Sequence, residues 1–383
     1  MEVLVIGKPA VNVYLPLQEF PMEGDVFHIT GKNESVGGVP ATAACLIAKW
    51  GVKPHFTGVL GNDAYAEKIR NVFSEYKVNS KFLETTFEKP TSTNYLVLNL
   101  KTGAVTKILY NDPNVELQKF KYDFQPDWAI MDASDTAGAM ALINNDNRVK
   151  IVFYARVANA NTLTLAKKCK YIVCTQAFIE GLTKTKIEID TPAEELVDAY
   201  QKLVDSVGSS NYVVLLNNKK ILYAEDNKVK MLPEMKINHA DVSSFDSVFT
   251  GAFAFAMMHD ISLDDSIKFA NTAAAISISK IGEEPAIPTL EEVITNSGLK
   301  DKFKSYQPEQ KVEVPQQQVV EQAPVQQGEQ PLAAFDQKPI GDETVQAPPV
   351  AEQQAPTAVE APVSVSQEPV QAPPTHEDTN IFG

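Results

Sequence analysis

From residue 128 to residue 281 short apolar runs alternate with stretches of helix length. Strand-like runs fall at 128–131, 150–153, 171–174 and 212–216. Helical periodicity covers 136–144, 162–168, 192–207, 247–259 and 264–281. Strands that are apolar throughout, separated by helices of this length, fold as a mainly parallel sheet covered on both faces. This alternation excludes an all-helical or all-β domain.

The first third reads differently. Met1-Glu-Val-Leu-Val-Ile-Gly7 is a buried strand closed by glycine. Residues 12–33 alternate and carry the turn Pro21-Met-Glu-Gly24-Asp25, and 93–100 and 104–110 flank Lys101-Thr-Gly103, a hairpin signal. Helices are expected at 42–50, closed by Gly51, and at 64–76, with a strand at 55–60 between them. The early antiparallel segments, about 12–33 and 92–110, predict a small sheet projecting from the main body.

Composition changes near residue 304. The segment 304–383 holds 12 of the 24 prolines and 12 acidic against 3 basic residues, so it carries −9 of the net charge of −15. With few aromatics it cannot bury enough apolar surface to offset its chain entropy, and it is expected to be a disordered acidic Pro/Gln-rich tail. Two apolar islands interrupt it, Pro331-Leu-Ala-Ala-Phe335 and Asn380-Ile-Phe-Gly383. Such islands resemble peptides that dock in a partner's groove, although an incidental origin stays open. No run approaches 18 apolar residues, so no membrane span is expected, and the start of the chain reads as a strand rather than a leader. Three cysteines in no CxxC pattern suit a reducing cytoplasm. Only Arg70, Arg148 and Arg156 are arginines and no basic stripe exists, so a direct nucleic-acid partner is not expected.

Four motifs occur in a fixed order. They are Gly37-Gly-Val-Pro-Ala-Thr-Ala43, Gly58-Val-Leu-Gly-Asn-Asp63, Asp241-Val-Ser-Ser-Phe-Asp-Ser-Val-Phe-Thr-Gly-Ala-Phe253, and Ala270-Asn-Thr-Ala-Ala-Ala275 followed by Gly282 and Ile287-Pro-Thr-Leu-Glu-Glu-Val293. Together they resemble the ribokinase, or PfkB, carbohydrate kinases across nearly all of 1–303. The resemblance implies an α/β, ribokinase-like three-layer sandwich with a mainly parallel central sheet and a small antiparallel β lid. It also implies transfer of the γ-phosphoryl of ATP, with magnesium, to a sugar or nucleoside hydroxyl. The lid of such a domain covers the sugar and suggests a homodimer interface.

Position by position, the resemblance meets altered chemistry. Counted back from Phe249-Thr-Gly-Ala-Phe253, the family's catalytic aspartate position falls on Ser247 and the preceding glycine on Asp246. A serine without an adjacent base cannot accept the substrate proton at neutral pH. Asp246 is then either a displaced base, turned about 100° around the helix, or a first-turn acid beside a capping Ser243 or Ser244. Ser244 and Phe245 replace small residues of the anion hole, which Asp241 opens. In the sugar pocket Asn12 stands for an aspartate and Thr42 for an asparagine, while Gly37 and Gly38 are kept. On the nucleotide side the magnesium motif falls on Thr175 and Phe178, a Thr-x-Gly element becomes Leu216-Asn217-Asn218, and Asn271 lies on the closing helix. These departures gather in one reaction centre. They imply a catalytically impaired homologue acting as a scaffold or regulatory protein with a residual ligand pocket, and needing no cofactor. The alternative is an active kinase that uses ATP and Mg with Asp246 as base.

Overall fold

The computed structural model describes residues 1–304 and 306, apart from 30, 111, 113, 209 and 227. The chain divides into Met1–Glu321 and Gln322–Gly383. The expected tail, with its islands at 331–335 and 380–383, lies outside the described residues.

Nine strands form the main sheet in the order β13-β12-β11-β10-β9-β8-β1-β4-β5. Its central strands are β1 (Val3–Ile6), β4 (Pro54–Leu60), β8 (Trp128–Asp132), β9 (Lys150–Ala155), β10 (Tyr171–Thr175) and β11 (Asn211–Leu215), all parallel. One edge is β5 (Asn79–Thr85), also parallel. The other is an antiparallel hairpin, β12 (Ile221–Glu225) and β13 (Lys228–Leu232). Val3, Leu4, Val5 and Ile6 are buried on both faces, as a strand between two helical layers must be.

One apolar layer, built around α1 (Val39–Lys49), α7 (Phe245–Met258) and α8 (Leu263–Ser277), gathers Trp50, Phe249, Phe253 and Phe269. The opposite layer, with α3 (Thr136–Asn145), α4 (Ala160–Ala166), α5 (Gln176–Thr183) and α6 (Ala193–Val207), gathers Phe153, Phe178, Leu203 and Val214. The helices differ as their positions require. In α6 the residues Leu196, Ala199, Tyr200, Leu203 and Val207 form one buried stripe, the 3.6-residue pattern of a surface helix. In α7, wedged against both α1 and α8, nearly every residue is buried. Each buried Phe or Leu contributes about 1.5–3 kcal/mol.

The second sheet has the order β3-β2-β6-β7, from β2 (Ala10–Leu17), β3 (Asn33–Gly37), β6 (Thr93–Asn99) and β7 (Val105–Tyr110). The pairings β2–β3 and β6–β7 are antiparallel, as the turn signals predict. The middle pairing, β2–β6, is parallel. The chain passes through the main body between these two strands, so no tight turn dictates their direction. The helix α2 (Ala64–Glu75) sets the base of the lid: Asp63 caps it through Ala66 N–H (2.9 Å) and also accepts from Thr91 N–H (2.7 Å). Among the described residues no helix is long and apolar enough to cross a membrane.

Candidate functional site

Parallel α/β sheets place their ligands outside the carboxyl ends of the strands. Here residues at the ends of β9, β10 and β11 line one cavity with Lys107 of the lid and Asp246 at the amino end of α7.

A 3-10 turn, Val242–Ser244, leads into α7. Asp241 organises it, accepting from Ser243 N–H (2.8 Å), Ser243 Oγ–H (2.8 Å) and Gly282 N–H (2.9 Å). Burial raises the Asp241 carboxyl above its ordinary range, and these three donors oppose that rise. Neither serine caps α7 through its side chain, contrary to the sequence expectation. Ser243 Oγ pairs with Tyr14 OH at 3.0 Å and Ser244 Oγ with Ser277 Oγ at 2.9 Å. Capping passes to Asp241 because the preceding 3-10 turn, not the α-helix, holds the first free N–H groups. Phe245 is 2% exposed and stacks on Phe249 at 6.3 Å, so a phenyl ring stands where close backbone approach to phosphate would need a small residue.

Ser247 and Asp246 face different surroundings. Ser247 is 1% exposed, and its Oγ–H donates to Ser244 O at 3.1 Å, with Glu283 Oε2 at 3.5 Å. Asp246 turns its carboxylate to Tyr154, whose OH donates to Oδ2 at 2.7 Å. Burial, and then this carboxylate, raise the Tyr154 phenol, which stays a donor.

Glu283 is the residue the motif reading missed. Its side chain is 5% exposed, Oε1 is 3.1 Å from Lys107 Nζ, and Oε2 accepts from Thr42 Oγ1 at 3.3 Å. Lys107 belongs to lid strand β7 and also donates to Ser243 O at 3.2 Å. An ion pair between lid and body thus stands directly beside the serine. In the sequence both residues read as solvated charges. The one available signal for Glu283 is that two glutamates follow Gly282 between buried apolar segments.

The remaining positions expected on the sugar side are Asn12, Gly37, Gly38 and Thr42. Asn12 is fully buried on β2, opposite Ser35, and its Oδ1 accepts from Asn94 Nδ2 at 2.8 Å. Its Nδ2 has no partner among the described residues. A Cβ at Gly37 would stand 2.1 Å from that nitrogen, so the strand crossing demands glycine. Gly38, at φ 96°, turns the chain into α1 and delivers Thr42 to the site.

On the other side of Ser243 lies a cavity of about 240 Å³ lined by Lys107, Arg156, Thr175, Asn217, Lys219 and Asp246 among others. Thr175 caps α5, accepting from Phe178 N–H at 3.3 Å, and also donates to Arg156 O. Phe178 is fully buried in the second apolar layer, away from the cavity. The Asn217 backbone N–H is held by Gln176 Oε1 at 3.0 Å. Asn271 is 3% exposed within α8, and nothing places it with either group of residues. A magnesium ion fits this donor set poorly, because three cations face one carboxylate already bonded to Tyr154. Among the described residues no cluster of three or more His, Cys, Asp or Glu is placed to hold a metal.

A doubly covered parallel sheet, a separate four-stranded lid and a crevice between them define the class of sugar-kinase-like proteins. Residues 2–290 match the pfkB family of carbohydrate kinases, and the chain belongs to that family. It is 22% identical to a ribokinase of Haemophilus influenzae over 76% of this chain and 96% of the relative. It is 23% identical to fructokinase-2 of Zea mays over 68% and 84%. Among solved structures, ribokinase of Thermotoga maritima superposes with a TM-score of 0.61 at 22% identity, covering 78% of this chain and 99% of the other. Arabidopsis thaliana ribokinase complexed with ribose and ATP gives 0.60 at 19%, covering 77% and 98%.

Proposed function

We propose that this carbohydrate kinase homologue binds a small hydroxylated ligand in the cleft and no longer transfers phosphoryl groups, serving a regulatory or scaffolding role. One observation carries the reading: the family base position is Ser247, bonded into its own helix turn, and the space beside it holds the Glu283–Lys107 ion pair. A general base must be free to take a proton. The Glu283 carboxylate is neutralised by an ammonium 3.1 Å away and shared with Thr42. Asp246, the alternative base, is engaged by Tyr154 and faces three cations rather than Thr42 and Ser247.

The residues that remain suit hydroxyl recognition. The Asn12 Nδ2, unpartnered among the described residues, the Thr42 hydroxyl and the Glu283 carboxylate offer donors and acceptors in one buried region. We further propose that the chain pairs with a second copy through the lid and that the tail islands 331–335 and 380–383 recruit protein partners in the cytoplasm.

The test is ATP-dependent phosphorylation of a panel of pentoses, hexoses and nucleosides by the full chain, with calorimetry of ATP in the presence of magnesium. No turnover is expected. Saturable turnover lost in Glu283→Gln or Asp246→Asn would overturn the proposal and name the base in the same experiment.

A further inference from the structure

The cavity beside Ser243 is built from the ends of three adjacent strands. Arg156 follows β9, Thr175 ends β10, and Leu215, Leu216 and Asn217 continue from β11. Lys219 lies in the turn between β11 and β12 with φ 61°, a left-handed backbone that a lysine rarely adopts. Its ammonium stands 4.8 Å from the centre of the Phe245 ring. Lys107 reaches in from the lid.

The charges do not cancel locally. Among the described residues neither Arg156 nor Lys219 makes an ion pair, and Lys107 is satisfied by Glu283, which does not line the cavity. The single lining carboxylate, Asp246, accepts from Tyr154 OH. In a chain of net charge −15 this is a local concentration of positive charge at the mouth of a crevice, where the field is focused. Burial lowers the Lys219 ammonium from its ordinary range, which an incoming anion would reverse.

Charge narrows the ligand: three cations against one engaged carboxylate around a cavity of about 240 Å³ suit the phosphate of a compact ligand. The neighbouring Asn12, Thr42 and Glu283 supply the hydroxyl-binding half, and Lys107 stands between the two halves.

Resting on the binding role proposed above, we propose that this cavity is a phosphomonoester site: Arg156 and Lys219 hold the phosphate of a phosphorylated sugar or polyol whose hydroxyls face Thr42 and Glu283. The chain would then retain a molecule that already carries phosphate, rather than phosphorylate one. Lys107 links occupancy to the lid, because the bound dianion competes with Glu283 for its ammonium.

The experiment is calorimetry on the full chain with ribose 5-phosphate, ribose, inorganic phosphate and ATP with magnesium, at two salt concentrations. Ribose 5-phosphate is expected to bind at least about tenfold tighter than ribose, with phosphate competing and salt weakening the binding. Arg156→Gln and Lys219→Gln should each weaken it about tenfold, the scale of one charge-assisted hydrogen bond, and Lys219→Arg should retain it. Arg156 is exposed, so its variant reports on binding without disturbing the core. Equal binding of ribose and its phosphate, or no response to either Gln variant in protein that keeps its circular dichroism and melting temperature, overturns the site. Tighter binding of ATP than of ribose 5-phosphate overturns the compact-anion assignment. ATP-dependent turnover would defeat the proposed loss of transfer, yet a phosphomonoester lost with Arg156 would stand.

Discussion

Glu283 Oε1 and Lys107 Nζ lie 3.1 Å apart although 176 residues separate them in the chain, and the lysine is the only one of the two on the lid. The pair fixes β7 over the amino end of α7. Lys107→Met leaves a carboxylate that is 5% exposed without its counter-charge. Removing one member of a buried pair costs about 3–5 kcal/mol, and the partial exposure of Lys107 brings the expectation to about 2–3 kcal/mol. The double variant Lys107→Met/Glu283→Gln should recover at least half of that loss. Urea denaturation of the four proteins checks this. A double-variant loss equal to the sum of the two single-variant losses would show that the two side chains act independently.

An aspartate at Ser247, the proposed family base position, is expected to harm the protein. Ser247→Asp places a second carboxylate beside Glu283, whose Oε2 is already 3.5 Å from Ser247 Oγ. Two carboxylates in one buried space cannot both ionise, so the variant should lose about 2–4 kcal/mol at pH 7. Glu283→Ala in the same chain should relieve most of the loss. Thermal melts of Ser247→Asp with and without Glu283→Ala decide it: an unchanged melting temperature for the single variant would mean that the two positions do not meet.

How far the sequence could lead is visible at these same residues. The alternating runs from 128 onward predict the parallel sheet because each buried strand and amphipathic helix is a local pattern, and β8 to β11 lie within a few residues of expectation. The strands β5 and β13 carry little signal: both sit at sheet edges, half exposed, with mixed side chains. The helix α5 starts at the residue after β10 with no glycine or proline between them, since Thr175 serves as both strand end and cap. At the site, motif order singles out Ser247, Thr42 and Asn12, and of these Thr42 and Ser247 both reach the Glu283 carboxylate. Local sequence cannot reveal that Lys107 and Glu283 meet there, because their contact is fixed by lid placement and by a loop with no periodicity. Arg156 stands out in the sequence only as one of three arginines, and its proposed role depends on its place just after the carboxyl end of β9.

Asp132, at the end of β8, gives a pH signature. Burial raises its carboxyl to about 6, against hydrogen bonds from Ser134 that favour the charged form. Its ordinary value is 3.8. The folded protein therefore holds this proton more tightly than the unfolded chain does. The resulting stabilisation is full below about pH 3.8 and is lost as pH rises through 6. Stability of Asp132→Asn minus that of the wild type should rise by about 1–2 kcal/mol between pH 4.5 and 7.5, less than the full linkage because Asp132 retains some contact with water. Guanidinium titrations at several pH values measure the difference. A difference that stays flat or falls with pH would contradict the raised carboxyl.

The lid carries the final prediction. Strand β7 is the edge of its sheet, and side chains alternate across it. Lys107 turns to the cleft, which puts Ile108 and Tyr110 on different faces from it, and both are exposed, at 59% and 54%. Tyr95, directly opposite Ile108 on β6, is 42% exposed on that same face. An apolar face beside an open strand edge invites pairing with a second copy, and such an edge needs covering or charge to stay single. The full chain is expected to scatter light as a dimer, and Ile108→Lys/Tyr110→Lys as a monomer with an unchanged main-body melt. Because these side chains point away from Glu283, ligand affinity in the cleft should change less than about threefold. A dimer that survives both lysines would place the interface elsewhere, and a monomeric wild-type chain would remove it.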